Sequence, residues 1–233
     1  MSRQVPTANG LGDNRPHFVL VPLMAQGHMI PMIDMAHLIA GRGAVVSFIT
    51  TPVNAARIRP VIDRVEAEGL PIRFVELEFP WARGGLPEGC ENVDLVPSTD
   101  LYKPFFNALR FLAEPLEIFL REVKPSPSCM IVDYCNPWTS EVAQKLNIPR
   151  VIFHGPSCLF LFSVHNIRIK KVYDGVGDFE PVVVPDLAQR VEITKAQAPG
   201  WFAAWPEWDD LRCSAIEAEA SADWRCGKYF HTS

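Results

Sequence analysis

The sequence predicts an α/β fold, a Rossmann-like parallel sheet with helices on both faces, and three observations carry that prediction. Short apolar runs rich in Val, Ile and Phe recur along the chain, longer helix-like stretches separate them, and two of the run exits share the same punctuation. Runs that are apolar throughout, rather than alternating, suit strands buried on both faces. Such burial is what a parallel sheet covered by helices requires.

The elements follow in order. Residues 1 to 16 are polar, lack the apolar core of a secretory signal, and read as a disordered leader. HFVLVP (17 to 22) is the first strand, and after the turn MAQGH a helical spacing starts around Pro31. AVVSFIT (44 to 50) is the second strand, followed by Thr51 as N-cap and Pro52 at the first helical position. IRFVEL (72 to 77) is the third. Residues 78 to 99 are dense in Gly and Pro without periodicity, so they read as an exposed loop that a ligand can approach. Residues 101 to 123 form a long helix disturbed near Pro115. CMIVD (129 to 133) is the fourth strand, with Asn136 and Pro137 repeating the cap-and-proline punctuation. RVIFH (150 to 154) is the fifth and leads into a helix ending near Gly175.

With 233 residues and 48% hydrophobic content, the chain can bury a core for one domain, at most two. A net charge of −5 with scattered Lys and Arg gives no electrostatic footprint for nucleic acid or an anionic membrane. The longest apolar run, CLFLFSV, is far shorter than the roughly 20 residues of a membrane span. Six cysteines lie far apart without a C-x-x-C pair, so free thiols in a reducing, cytoplasmic compartment are expected. Small molecules or proteins are the expected partners.

In open parallel sheets ligands gather where strands end and helices begin, because helix N-termini there offer unpaired N–H groups. His28 lies in the first such turn and Asp133 at the end of a later strand. The first turn holds only Gly27 where a dinucleotide site needs G-x-G-x-x-G, which disfavours a dehydrogenase. No G-x-S-x-G elbow occurs, which disfavours an α/β-hydrolase. A histidine with its ordinary pKa of about 6.5 is mostly neutral near pH 7. A helix N-terminus disfavours the imidazolium further. His28 can therefore accept a proton from a hydroxyl group, and an Asp on the far ring nitrogen would fix the tautomer and stabilise the cation. Asp133 is the candidate, since Asn136 can serve as the cap.

The alternatives stand beside this. A histidine in a turn is commonly solvated, and an Asp at a strand exit commonly bonds backbone N–H groups of its own loop. His154 and His165 read as structural, and His37 as facing solvent. The tryptophans of PGWFAAWPEWDD (199 to 210) either line an apolar pocket or pack under a loop.

Several segments together resemble the plant UDP-sugar-dependent glycosyltransferases of secondary metabolism. They are HFVLVPLMAQGHMIPMIDMAHLIAGRG, ITTPVNAARI, IVDYCNPWTSEVAQKLNIPRVIFHGPSC and VVVPDLAQRVEITKAQAPG, and the similarity runs from about His17 to Asp223. The resemblance implies the N-terminal half of a GT-B fold, an acceptor-binding domain over residues 17 to 223. It implies His28 as catalytic base with Asp133 as its partner, and an inverting transfer from a UDP-sugar, with UDP-glucose expected, to a hydroxyl of a small metabolite such as a flavonoid or terpenoid. Gly27, Trp138, Phe153, His154 and the 78 to 99 loop are the implied acceptor-lining residues. No cofactor and no metal enter the scheme; the UDP-sugar is a co-substrate.

The sequence departs from the family at its end. The family's W-x-P-Q and H-C-G-W-N-S segments of the C-terminal donor domain are absent. Where relatives continue EAEASAD into Gly-Val-Val-Val-Asn-Thr-Phe, this chain has WRCGKYFHTS, residues 224 to 233. Codons for Trp224 to His231 read one base later are compatible with that family strand, so residues 224 to 233 read as an aberrant tail from a frameshift or truncation. Two functions follow: a UDP-glycosyltransferase, weak or inactive as this chain alone, or a non-catalytic acceptor-binding fragment or nonfunctional truncated product.

Overall fold

The computed structural model describes residues 15–197 and 208–226, except for the side chains of Asp209, Arg225 and Cys226. The sheet is built from β1 (His17–Val21), β2 (Val45–Thr50), β3 (Ile72–Glu76), β4 (Cys129–Asp133) and β5 (Arg150–Phe153), within a residue of the predicted runs at each end. A short antiparallel pair, β6 (Val182–Val183) and β7 (Glu192–Ile193), lies apart from it. A sixth parallel strand, β8 (Trp224–Cys226), pairs with β5 at the sheet edge, so the first three residues of the expected tail add to the sheet. The rest of that tail and residues 1 to 14 of the expected leader lie outside the described residues, while the Pro16 carbonyl already accepts from Val45 N–H.

The strand order is β3-β2-β1-β4-β5-β8, all parallel. All six residues of β2 are buried, which places packing on both of its faces, as the unbroken apolar run required. From β1 the chain builds outward through β2 and β3, then returns to add β4 on the other side of β1. The exits of β1 and β4 therefore adjoin at the point where the order reverses, and it is there that a parallel sheet opens a crevice.

The helices are α1 (Gln26–Ala40), α2 (Pro52–Arg57), α3 (Arg59–Glu68), α4 (Tyr102–Leu109), α5 (Ala113–Glu122), α6 (Thr139–Leu146), α7 (Cys158–Ile169) and α8 (Asp209–Ala220). α1 starts five residues before the predicted start, with Pro31 inside it. The long helix expected over 101 to 123 is divided by a 3-10 turn at Arg110–Leu112, and Pro115 sits in the first turn of α5, where its missing N–H costs no helical bond. Gly69 ends α3 in the left-handed region, with φ of 64°, a conformation that glycine adopts without a Cβ penalty. Leu20, Met32, Phe48, Phe105, Leu116 and Met130 are fully buried and form the centre of the core. Among the described residues no helix is long and apolar enough to cross a membrane.

The segment 78 to 99 departs from the expected exposed loop. Phe79, Leu86, Cys90, Glu91 and Asn92 are buried in it. Polar side chains make this possible: Asn54 Nδ2 donates to the Glu91 carbonyl at 2.8 Å, and Asn92 Nδ2 donates to Asn54 Oδ1 at 2.6 Å. Buried backbone without periodicity is tolerated where side-chain amides satisfy it.

His17, at the start of β1, is fully buried. Its Nδ1 lies 2.7 Å from the Pro125 carbonyl and its Nε2 2.8 Å from Ser47 Oγ. The carbonyl can only accept, so the neutral ring donates from Nδ1 and accepts the serine proton at Nε2. Burial, with a smaller push from Arg73, outweighs the Pro125 bond and holds its pKa below 6.5. A base whose pKa falls on folding stabilises the fold above its unfolded value, and that contribution is lost as pH drops below 6.5 toward the lowered value. The stability advantage of the natural protein over His17→Gln is therefore expected to shrink between about pH 7.5 and about pH 5.5, read by thermal unfolding. An advantage that stays constant or grows would contradict the buried neutral ring.

Candidate functional site at the β1 and β4 exits

His28 is the third residue of α1. Ala25, in extended conformation, starts the helix, and its carbonyl accepts from the His28 and Met29 N–H groups at 3.0 and 2.9 Å. Asp133 is the last residue of β4 and is 1% exposed in its side chain, against 25% for His28. His28 Nδ1 lies 2.7 Å from Asp133 Oδ2. A carboxylate only accepts, so the neutral imidazole carries its proton on Nδ1 and keeps the Nε2 lone pair.

The other oxygen, Asp133 Oδ1, accepts from Cys135 N–H at 2.9 Å. The two alternatives open for Asp133 are thus both met, one by each oxygen. The loop bond holds the carboxylate so that its second oxygen faces the ring.

Asn136 does not cap α6 with its side chain. Its Nδ2 donates to the carbonyls of Pro22 at 2.9 Å and Val21 at 3.3 Å, and its Oδ1 accepts from Trp138 Nε1 at 3.3 Å. The helix starts later, at Thr139, whose hydroxyl donates to the Asn136 carbonyl at 2.7 Å. The open carbonyls at the end of β1 are the stronger claim on a buried amide, and they tie the strand exit leading to His28 to the one bearing Asp133. Asn136→Ala leaves those carbonyls buried without a donor and is expected to cost about 1–3 kcal/mol. Urea denaturation checks this; a loss below about 0.5 kcal/mol would contradict the clamp.

Gly155, just beyond β5, packs on the imidazole. A Cβ built there would lie 3.0 Å from His28 Nδ1 and 3.2 Å from Cε1. Only glycine lets the β5 exit come that close to the ring. Burial of the ring lowers the His28 pKa, but the hydrogen bond to Asp133 and its charge together outweigh burial, and the result lies above 6.5. The expected effect of the helix N-terminus is therefore overridden by the carboxylate.

The remaining residues fall around this centre. Trp138 is buried and lines a cavity of about 510 Å³ with Phe106, Tyr134, Cys135, Trp208 and Leu211. The lining includes Cys135 but not His28, so the cavity opens beside the dyad and not over Nε2. Phe153, at the end of β5, is half-buried and accepts from Tyr134 N–H at 2.9 Å. His154 is half-buried, stacks on Tyr134 with centroids 4.9 Å apart, and has Nε2 3.4 Å from Glu219 Oε1. Gly27 is exposed, with open space where a Cβ would be. Of the four expected lining residues, only Trp138 borders the cavity. His37 is half-buried, its Nδ1 2.9 Å from the Ile33 carbonyl, rather than turned fully to solvent, and His165 is exposed. Trp208 is described, whereas Trp201 and Trp205 lie outside the described residues.

Gly155 and Cys135 were not singled out from the sequence. A glycine directly after the RVIFH run is a signal of close backbone approach that could have pointed to the first. Cys135 had no such signal, because its place beside Asp133 depends on the turn after β4. His28, Asp133 and Cys135 each offer a metal-ligating atom, all within 4.8 Å of one another. The described cysteines Cys90, Cys129, Cys135, Cys158 and Cys213 are free thiols.

Comparison with known proteins adds to this geometry. UDP-glycosyltransferase 73C5 of Arabidopsis thaliana is 43% identical over 209 residues, covering 88% of this chain and 42% of the relative. Over most of its length the chain is similar to the N-terminal part of plant UDP-glycosyltransferases. UDP-glycosyltransferase 73E1 of Stevia rebaudiana is 46% identical over 191 residues, 79% of this chain and 38% of the relative. The chain thus spans about two-fifths of the length of the curated relatives it matches. No family model matches it.

Among solved structures, Glycyrrhiza uralensis UGT73P12 in complex with glycyrrhetinic acid 3-O-monoglucuronide superposes with a TM-score of 0.78 at 28% identity, over 91% of this chain and 43% of that one. Arabidopsis thaliana UGT89C1 in complex with quercetin gives a TM-score of 0.57 at 25% identity, over 65% of this chain and 37% of the other. The architecture is that of one half of a GT-B glycosyltransferase.

Proposed function

We propose that this chain is the acceptor-binding, base-carrying half of an inverting UDP-sugar-dependent glycosyltransferase. The observation that carries the reading is the 2.7 Å bond from His28 Nδ1 to the buried Asp133, which leaves the Nε2 lone pair on a ring still a quarter exposed. In this reaction Nε2 takes the proton of an acceptor hydroxyl, and the oxygen forms a bond to the anomeric carbon of the UDP-sugar. The bond from that carbon to the diphosphate breaks, UDP leaves with its electron pair, and the configuration inverts. Asp133 holds the ring in the reactive tautomer and stabilises the imidazolium. General-base help of this kind contributes about 10²–10⁴-fold.

The acceptor we propose is a small, largely apolar hydroxylated metabolite of the flavonoid or terpenoid class. The complexes of UGT73P12 and UGT89C1 with such compounds support this, as does the aromatic lining near Tyr134 and Trp138. The donor is a UDP-sugar, with UDP-glucose the first to try, and the compartment is the cytoplasm. Because the chain spans two-fifths of its relatives, a second reading is that it binds the acceptor without transferring sugar. Incubating the purified chain with UDP-glucose and a panel of flavonoids and triterpenoids separates them. Acceptor-dependent release of UDP supports transfer, whereas acceptor binding without UDP release supports the second reading.

We also propose that residues 224–233 are translated in a shifted frame. Trp224 is 71% exposed on the edge strand; its single codon read one base later encodes Gly, and the codons that follow are compatible with the family's apolar strand. Sequencing the coding DNA tests this: donor-domain motifs in the neighbouring frame are expected, and their absence would contradict it.

A further inference from the structure

The metal-ligating cluster at the β1 and β4 exits has chemistry that glycosyl transfer does not use. Cys135 follows Asp133 by two residues, so the backbone bond that orients the carboxylate also brings the thiol beside it. One ligand atom from each of His28, Asp133 and Cys135 lies within 4.8 Å of the others. Imidazole nitrogen, carboxylate oxygen and thiolate sulfur are three ligand types that Zn²⁺ accepts together, at about 2.0–2.3 Å, in a tetrahedral site with one open position. Ligands of one such ion sit roughly 3.3–3.8 Å apart. The 2.7 Å His28–Asp133 contact therefore has to open slightly while the thiol closes in.

The site adjoins a cavity, and its carboxylate is already held in place. Cys135 borders the cavity of about 510 Å³ and its thiol bonds Asp133. Burial and the carboxylate hold the thiol well above its ordinary pKa, so an ion must displace that proton. His28 is a quarter exposed in its side chain. Asp133 Oδ1 is held by the Cys135 N–H and the β4 exit is clamped by Asn136, so the carboxylate is oriented before an ion arrives.

We propose that His28, Asp133 and Cys135 form an inhibitory site for Zn²⁺ and similar thiophilic divalent cations, in which the ion takes the place of the proton shared by His28 and Asp133. The proton balance explains the inhibition. Cys135 releases its thiol proton to solvent as the sulfur ligates the ion. The neutral His28 ring must give its Nδ1 lone pair to the metal, so the ring proton moves to Nε2. The nitrogen that would accept the acceptor's proton then carries one of its own. Metal binding stands whether or not this chain transfers sugar; only its consequence for activity rests on the proposed function.

The test reads the metal directly. Co²⁺ is titrated into the full chain, reduced with a non-chelating phosphine, and thiolate-to-cobalt charge transfer is followed in the near ultraviolet together with the visible bands of tetrahedral Co²⁺. One equivalent is expected to bind, releasing about one proton, and Zn²⁺ is expected to displace it. The charge-transfer band is expected to vanish in Cys135→Ala and in Cys135→Ser, and affinity to fall at least about tenfold in His28→Ala. It should persist in a chain carrying Cys158→Ala and Cys213→Ala, which removes the exposed thiols among the described residues. Circular dichroism confirms that each variant is folded, and the two replacements at Cys135 guard against failure of one. No charge-transfer band, or a band that survives both Cys135 variants and disappears with Cys158 and Cys213, overturns the proposal. Acceptor-dependent UDP release is a separate measurement, so failure of the transferase reading would leave the cobalt result intact.

Discussion

His28→Ala is expected to lower acceptor-dependent UDP release by about 10²–10⁴-fold while leaving acceptor affinity within a few-fold of its natural value. The two effects separate because Nε2 acts on a proton that moves only as the oxygen attacks. On the proposed reading the acceptor is held by apolar contacts around Tyr134 and Trp138, which do not depend on that nitrogen. Measuring kcat and KM for the same acceptor distinguishes this from a loss of binding. A variant that raises KM while preserving kcat would place His28 in recognition and not in proton transfer.

Asp133→Asn is expected to lower turnover by a similar factor, about 10²–10⁴-fold, for a different reason. The amide keeps the size of the carboxylate but offers an N–H₂ donor and removes the charge. A ring facing that donor holds its lone pair on Nδ1 and its proton on Nε2, the tautomer that cannot act as base. The His28 pKa is also expected to fall, because burial already lowers it and the carboxylate is what raises it above 6.5. The stability consequence has a definite sign. A base whose pKa is raised on folding stabilises the protein fully below its unfolded value, and the contribution is lost as pH rises through the folded value. The advantage of the natural protein over Asp133→Asn should therefore narrow as pH rises above 6.5. An advantage that widens over that range would contradict the account.

The sheet was legible because its signal is the simplest available: a strand buried on both faces is a mostly apolar, non-alternating run rich in Val, Ile or Phe, and HFVLV, VVSFIT and CMIVD are such runs. Parallel order then made the strand exits converge, which drew attention to His28 and Asp133 although 105 residues separate them. The family resemblance assigned them roles that spacing alone left open. What was not legible depended on tertiary partners. Asn136 looked like a cap because Asn before Pro is a local signal, yet its amide is claimed by carbonyls more than a hundred residues away. The 78 to 99 segment looked exposed because glycine and proline mark loops, and nothing local disclosed that Asn54 would satisfy the buried Glu91 carbonyl and accept from Asn92. Gly155 matters only because the β5 exit meets a ring carried by α1.

The arrangement separates rigid and reactive parts. Asn136 fixes one strand exit to the other, Asp133 is oriented by its own loop, and Gly155 limits the space in which the ring can turn. Such preorganisation is what a general base needs, since a misplacement of about 1 Å can cost on the order of 10²-fold in rate. It also holds Asp133 beside His28 and Cys135, the three side chains of the proposed metal site.

The measurement that tests the central claim most directly is ¹⁵N NMR of the His28 imidazole, assigned by comparison with His28→Ala and followed across pH. The account predicts a protonated Nδ1 and an unprotonated Nε2 in the neutral ring, a pKa above 6.5, and loss of both features in Asp133→Asn. A neutral ring protonated on Nε2, or a titration unchanged by Asp133→Asn, would contradict it.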